Sequence, residues 1–118
     1  MKVELINKDR GEYMFWCLGC NSYHSVTTLV KNEKGCQWQF NGNIESPTFT
    51  PSIVVNKDFL ERLCHSSIAD GKIQYHGDCF HSLKNQIIEL QNVEEEDDEE
   101  NNFIALKEYF VNKFLNKN

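Results

Sequence analysis

The stretch from Cys17 to His24 (CLGCNSYH) has the residue types and the spacing to hold a metal ion. Two thiols three positions apart on a glycine-containing turn can both face one ion, and zinc prefers four tetrahedral nitrogen or sulfur ligands. Two more ligands must then come from elsewhere in the chain. The stretch from Cys64 to His81 holds every remaining histidine and two of the three remaining cysteines. The sequence therefore predicts a zinc centre built from these two stretches.

The second pair of ligands is less constrained than the first. Cys64 and His65 are neighbours on a predicted strand and point to opposite faces, so at most one of them faces the Cys-x-x-Cys knuckle. Cys79 and His81 are two positions apart and can share a face. Cys79 is thus a substitute for His81, and either set fits the closed, four-ligand pattern of a structural zinc site. The preferred ligands are Cys17, Cys20, Cys64 and His81.

Four residues near the predicted centre could support the ligands or serve as ligands themselves: His24, His65, Asp78 and Cys79. A histidine beside a carboxylate can orient a metal ligand, act as a general base, or form a satisfied polar pair, and the sequence leaves these roles open. If only three protein ligands held the metal, the open position would carry a water whose pKa falls toward about 7. A zinc-dependent hydrolase using His65, Asp78 and His81 around an open position is therefore the alternative to a structural site.

Hydroxyl groups occur at alternate positions of an extended segment bracketed by two prolines. Thr48, Thr50 and Ser52 could present these hydroxyls to a ligand, although such residues more often hydrogen-bond their own backbone around proline turns. The chain contains neither a Gly-x-Ser-x-Gly elbow nor a phosphate-cradling glycine loop. The sequence by itself does not assign a nucleophile.

Alternating apolar and polar residues predict a mainly β (α+β) fold, a small zinc-stabilised antiparallel β domain with a C-terminal amphipathic helix. The knuckle is expected at the tip of a hairpin, and an Asp-Gly turn indicates a second hairpin. Pro47 and Pro51 exclude a regular central strand between them. The predicted strands include Lys2 to Lys8, Glu12 to Trp16, Tyr23 to Lys31, Ser52 to Val55, Cys64 to Ile68 and Lys72 to His76.

Charge divides the chain into a near-neutral body and an acidic tail. Residues 1–92 hold 9 basic and 10 acidic residues, whereas residues 93–118 hold 3 and 8. We expect a zinc-binding β domain over 1–92, an acidic linker over 93–102 and an amphipathic helix over 103–118. Such a short helix is marginal alone in water. Its apolar stripe is expected to dock on its own body or on a second copy, and the second arrangement predicts a homo-oligomer.

Composition also excludes several classes of protein. The body has no basic stripe, so binding to nucleic acid is not favoured. No apolar run approaches the ~20 residues of a membrane span, and the N-terminus lacks the apolar segment of a secretory signal. The expected location is the cytoplasm. Because that compartment is reducing, the five cysteines are expected to be thiols and metal ligands rather than disulfides.

Taken in order, these motifs resemble a family of small proteins from phages and prophages, over roughly residues 12–90. Some members carry an ammonia monooxygenase label, which this chain does not support because a membrane copper enzyme needs membrane spans. The resemblance implies a virus-encoded, zinc-binding accessory protein. The residues that carry it are Cys17, Gly19, Cys20 and His24; Trp38, Asn41 and Gly42; Pro47, Thr48, Pro51 and Ser52; Cys64, His65, Asp70 and Gly71; and Asp78 and His81.

The resemblance implies no particular activity, and the first hypothesis is a binding module. Its partner would be a host or viral macromolecule, and its effect would be to counteract a host defence from within the host cytoplasm. The zinc-dependent hydrolase described above is the competing hypothesis.

Overall fold

The computed structural model describes residues 1–93, which form two antiparallel sheets. In both sheets the strands are paired in chain order, so each sheet is a meander. The first sheet contains β1 (Glu4–Asn7), β2 (Glu12–Cys17) and β3 (Ser22–Thr27). The second contains β4 (Gln39–Phe40), β5 (Phe49–Val55), β6 (Cys64–Ala69), β7 (Lys72–Tyr75) and β8 (Ile87–Glu89), with a 3-10 turn at Leu60–Arg62 between β5 and β6.

The predicted mainly β fold is confirmed for this part of the chain. The knuckle hairpin is β2 and β3, in which Cys17 pairs with Ser22 across the turn. The Asp-Gly hairpin is β6 and β7, closed by Ala69 opposite Lys72. Asp70 and Gly71 both have positive φ, as that tight turn requires.

The second sheet has a buried face and a solvent face, because side chains alternate along each strand. On β6, Cys64, Ser66 and Ile68 are buried, whereas His65 and Ser67 between them are only partly buried. The buried face packs against the first sheet in one hydrophobic cluster. That cluster includes Val3, Phe15, Cys17, Val26, Phe49, Ile53, Cys64, Ile68, Ile73 and Tyr75.

Strand β5 is interrupted at its second proline. Phe49 pairs with Ile68 and Ile53 pairs with Ser66, so three residues, 50–52, lie opposite one residue of β6. The expected break in regular pairing is therefore present, although β5 begins at Phe49 rather than at Ser52. Such bulges bend a strand and re-aim its side chains. Here the bulge ends at Ser52.

Several predictions fall on residues that the structure does not describe. The C-terminal helix (103–118), nearly all of the acidic linker (93–102) and the oligomer built on that helix lie outside residues 1–93. Within residues 1–93, no helix is long and apolar enough to cross a membrane.

Candidate functional site

Four side chains converge on the buried side of the second sheet. Their ligand atoms all lie within 4.8 Å of one another. They come from the end of β2, the following turn, the start of β6 and the loop after β7. They are Cys17, Cys20, Cys64 and His81, the preferred set from the sequence.

The distances within this cluster fit a tetrahedral metal centre. The Cys17 and Cys64 sulfurs are 3.9 Å apart, and the Cys64 sulfur is 3.3 Å from Nε2 of His81. A tetrahedral zinc ion with Zn–S bonds of ~2.3 Å places two sulfur ligands ~3.8 Å apart. The backbone N–H of Cys20 donates to the Cys17 sulfur at 3.3 Å. The donor set of three thiols and one imidazole is one that zinc prefers.

The thiols share their protons unequally. Hydrogen bonds from the thiols of Cys20 and Cys64 lower the pKa of Cys17. The same contact with Cys17 raises the pKa of Cys20 to about 12, and it raises the pKa of Cys64 as well. The closeness of the three sulfurs thus favours deprotonation of Cys17, and the thiolate is the form that binds a metal. A divalent metal ion bound at the same point would replace the protons of Cys20 and Cys64, and metal binding would release them.

The fourth member, His81, is held by close packing. Its ring lies edge-on to Tyr75, with centroids 4.7 Å apart, and burial lowers its pKa, which favours the neutral, metal-binding imidazole. The hydroxyl of Tyr75 lies 3.3 Å from the Cys17 sulfur and accepts the N–H of Gly19 at 3.3 Å. Nδ1 of His81 is buried with no hydrogen-bond partner within residues 1–93. The ring is thus held by packing against Tyr75 and by the contact of its Nε2 with the Cys64 sulfur, not by a partner at Nδ1.

Gly19→Ala is expected to weaken this centre. A Cβ at position 19 would overlap the ring of His81. Overpacking of this kind costs about 1–3 kcal/mol, so the free energy of unfolding and the metal affinity should both fall. Thermal denaturation and metal titration measure the two effects. Leu18→Ala, at an exposed position of the same turn, is the matched control, and equal behaviour of the two variants would contradict the close packing of Gly19 on His81.

His24 lies beside the cluster. Its ring is buried edge-on to Phe15, with centroids 5.6 Å apart, and its Nδ1–H donates to the carbonyl of Tyr23 at 3.1 Å. Nε2 has no hydrogen-bond partner within residues 1–93. His24 also lowers the pKa of Cys17, although its effect is smaller than those of the thiols of Cys20 and Cys64 and of burial. This placement suits a residue that supports a ligand.

A second group of polar side chains lies on the solvent face of the same sheet. Nδ1 of His65 is 3.2 Å from both carboxylate oxygens of Asp78, and Nε2 of His65 is 3.1 Å from Oγ of Ser52. A carboxylate can only accept a hydrogen bond, so in the neutral imidazole Nδ1 carries the proton and Nε2 accepts the hydrogen bond of the serine hydroxyl. The three side chains form one continuous chain of hydrogen bonds.

The fold brings these three residues together from three separate segments. Ser52 ends the bulge of β5, and its carbonyl accepts the indole N–H of Trp38 at 3.2 Å. Val54, two residues after Ser52, is directly opposite His65. Ser52 and His65 are thus diagonal neighbours on the outer face. Asp78 reaches His65 from the loop after β7.

Hydrogen bonds hold the loop that carries Asp78 against β6. The thiol of Cys79 accepts the N–H of His65 at 3.3 Å and donates to the His65 carbonyl at 3.2 Å. The N–H of Phe80 donates to the carbonyl of Leu63 at 2.9 Å. Cys79 is therefore engaged with the β6 backbone and is not one of the four clustered side chains. The sequence offered Cys79 as a substitute for His81, and the structure places His81 in the cluster.

The structure also separates residues that the hydrolase alternative placed together. His81 points into the buried cluster, whereas His65 and Asp78 meet on the outer face of the sheet. Adjacent residues on β6 point to opposite faces, so Cys64 joins one group and His65 the other. The structure therefore does not bring His65, Asp78 and His81, the residues of the alternative hypothesis, together around one point.

A family model described as bacterial ubiquitination-like system serine protease (BubE) matches residues 2–76. This chain belongs to that family. The matched region holds Ser52, His65 and three of the four clustered residues, and it ends two residues before Asp78. No match is found among the curated proteins or among the solved structures.

The family description changes what was expected from the resemblance to phage proteins. It names a bacterial ubiquitination-like system, and nothing in the comparisons supports a phage origin or an action against a host defence. The partner inferred from the sequence, a host or viral macromolecule, stays a prediction.

Proposed function

We propose that this chain is a serine protease of a bacterial ubiquitination-like system, with Ser52 as nucleophile, His65 as general base and Asp78 as the group that orients His65. The continuous hydrogen-bond chain from Ser52 to Asp78 is the observation that carries this proposal. A serine activated by a histidine, itself oriented by a third group, is recognised by geometry and not by sequence position. The description of the matched family supports the same reaction.

The proposed reaction proceeds through an acyl-enzyme. Oγ of Ser52 bonds to the carbonyl carbon of the substrate while its proton passes to Nε2 of His65. The tetrahedral intermediate collapses, the carbon–nitrogen bond breaks, and His65 returns the proton to the departing amine. A water molecule then adds to the ester with its proton moving to His65. The ester bond to Ser52 breaks, Oγ recovers that proton, and a carboxylic acid is released.

The proposed metal is zinc, and its role is structural. All four tetrahedral positions would be filled by Cys17, Cys20, Cys64 and His81, so no position is left for a reactive water. The ion would supply cross-linking rather than reaction chemistry. Cys64 immediately precedes His65, and His81 follows Asp78 by three residues. Binding of the metal would thus fix both segments that bring the base and its orienting carboxylate together.

The proposed substrates are ubiquitin-like proteins of such a system. A serine triad attacks a carbonyl and is indifferent to whether the departing amine is a backbone or a lysine amine. A ubiquitin-like protein can carry a peptide extension after its C-terminal residue, or it can be joined through that residue to another protein. Ser52, His65 and Asp78 would cleave both kinds of amide bond by the same reaction.

Hydrolysis assays test this proposal in two steps. Metal-loaded wild-type protein is expected to cleave an activated ester, p-nitrophenyl acetate, and a ubiquitin-like protein carrying a C-terminal extension. Ser52→Ala should abolish both activities, whereas Ser82→Ala, an exposed serine in the loop after β7, should retain them. Cleavage that persists at the wild-type rate in Ser52→Ala would exclude Ser52 as the nucleophile.

A further inference from the structure

A second histidine packs directly against the base of the proposed triad. The rings of His65 and His76 have centroids 4.3 Å apart and an interplanar angle of 41°. The other side of His76 is anchored, since its Nε2 shares a hydrogen bond with Oγ of Ser67 at 2.9 Å. The backbone N–H of His76 also donates to the carbonyl of His65 at 2.9 Å. His76 thus contacts both the ring and the backbone of His65.

The hydrogen bond from His65 to Asp78 restrains the imidazole more weakly than the contacts with His76 do. The Asp78 side chain is 54% exposed and the His65 side chain 28% exposed. Pairs of this kind compete with water and are held loosely. A single nitrogen at 3.2 Å from both carboxylate oxygens also fixes the ring less tightly than one short, directed bond. The contact with His76 adds a restraint on the imidazole beside its hydrogen bonds to Asp78 and Ser52.

We propose that His76 is a positioning residue that braces the imidazole of His65 so that Nε2 stays directed at Ser52. This inference rests on the proposed function. The ring of His76 is in direct contact with the ring of His65, so it opposes rotation of that imidazole. The Ser67 hydroxyl helps to orient His76, whereas the contact with His65 is made by the ring of His76 itself.

The test measures the rate at which a fluorophosphonate probe modifies Ser52, because this reaction needs the triad but no knowledge of the natural substrate. The variants are His76→Ala, His76→Phe, which keeps a ring without the bond to Ser67, and His76→Gln, which keeps a polar group without the ring. Misplacement by about 1 Å can cost a hundredfold in rate, so His76→Ala should slow labelling by about 10- to 100-fold. His76→Phe should restore most of the rate, and His76→Gln should not.

Proton NMR supplies a readout that general destabilisation would not move. The Nδ1–H of His65 should exchange with water faster in His76→Ala than in the wild type, and the wild-type exchange rate should return in His76→Phe. Thermal melts and metal content identify variants that fail to fold, and His76→Gln then replaces His76→Ala as the variant without a ring.

The two proposals fail in different ways. A wild-type protein that is not labelled at Ser52 would overturn the proposed function, and the Nδ1–H exchange rate would still report on the brace. Labelling of folded His76→Ala at the wild-type rate, or an unchanged Nδ1–H exchange rate in it, would overturn the role of His76 alone.

Discussion

Ser52→Ala is expected to lower kcat by at least about a thousandfold, because it removes the atom that forms the acyl-enzyme. His65→Ala should cause a loss of similar size, since the hydroxyl would then have no base to accept its proton. The two residues act in one step, so the double variant should be about as active as either single variant. Asp78→Asn should cost less than either, because its carboxylate is 54% exposed and water can partly replace it.

The measurement is steady-state hydrolysis of an ester and of a ubiquitin-like fusion protein. The free energy of unfolding should change little in these variants, because the triad lies on the solvent face of the sheet and outside the hydrophobic cluster. Losses in the two single variants that multiply in the double variant would show that Ser52 and His65 act independently, and they would contradict a shared catalytic step.

Removal of the metal is expected to unfold the domain and abolish activity together. Structural zinc contributes about 10–16 kcal/mol in zinc-finger peptides at pH 7, which is as large as the total stability of a typical domain, about 5–15 kcal/mol. Excess chelator, or Cys20→Ser, should therefore lower the melting temperature sharply. The cause is the loss of the ion that would tie Cys17, Cys64 and His81 to one another.

Cys36→Ser is the matched control for this experiment. Cys36 is exposed and lies outside the cluster of four, so its replacement should leave the melting temperature and a metal content of one ion per chain unchanged. The prediction is contradicted if metal loss is confirmed by elemental analysis while the melting temperature stays at that of the loaded protein.

The buried cluster can be predicted because its signals are local. Two cysteines in a knuckle identify half of a metal site, and strand alternation correctly assigns Cys64 and His65 to opposite faces. The choice of His81 over Cys79 depends on the path of one loop. Sequence cannot show that the Cys79 thiol binds the backbone of His65.

The sequence identifies only part of the group formed by Ser52, His65 and Asp78. His65 and Asp78 can be recognised as a histidine–carboxylate pair, but the sequence around Ser52 favours a turn residue. Thirteen positions separate Ser52 from His65 and another thirteen separate His65 from Asp78. Only the bulge of β5 and its register with β6 make Ser52 a neighbour of His65. Because no local motif encodes a register between distant strands, the sequence does not identify the nucleophile.

Covalent labelling followed by peptide mapping tests the central claim most directly. Metal-loaded protein is treated with a fluorophosphonate, digested, and the modified residue is identified by mass spectrometry. We predict one adduct per chain, located on Ser52, absent from Ser52→Ala and unchanged in Ser82→Ala. An adduct on Ser67, which is paired with His76 on the same face, would contradict the assignment of the nucleophile, and no adduct on a folded, metal-loaded chain would contradict the proposed serine protease.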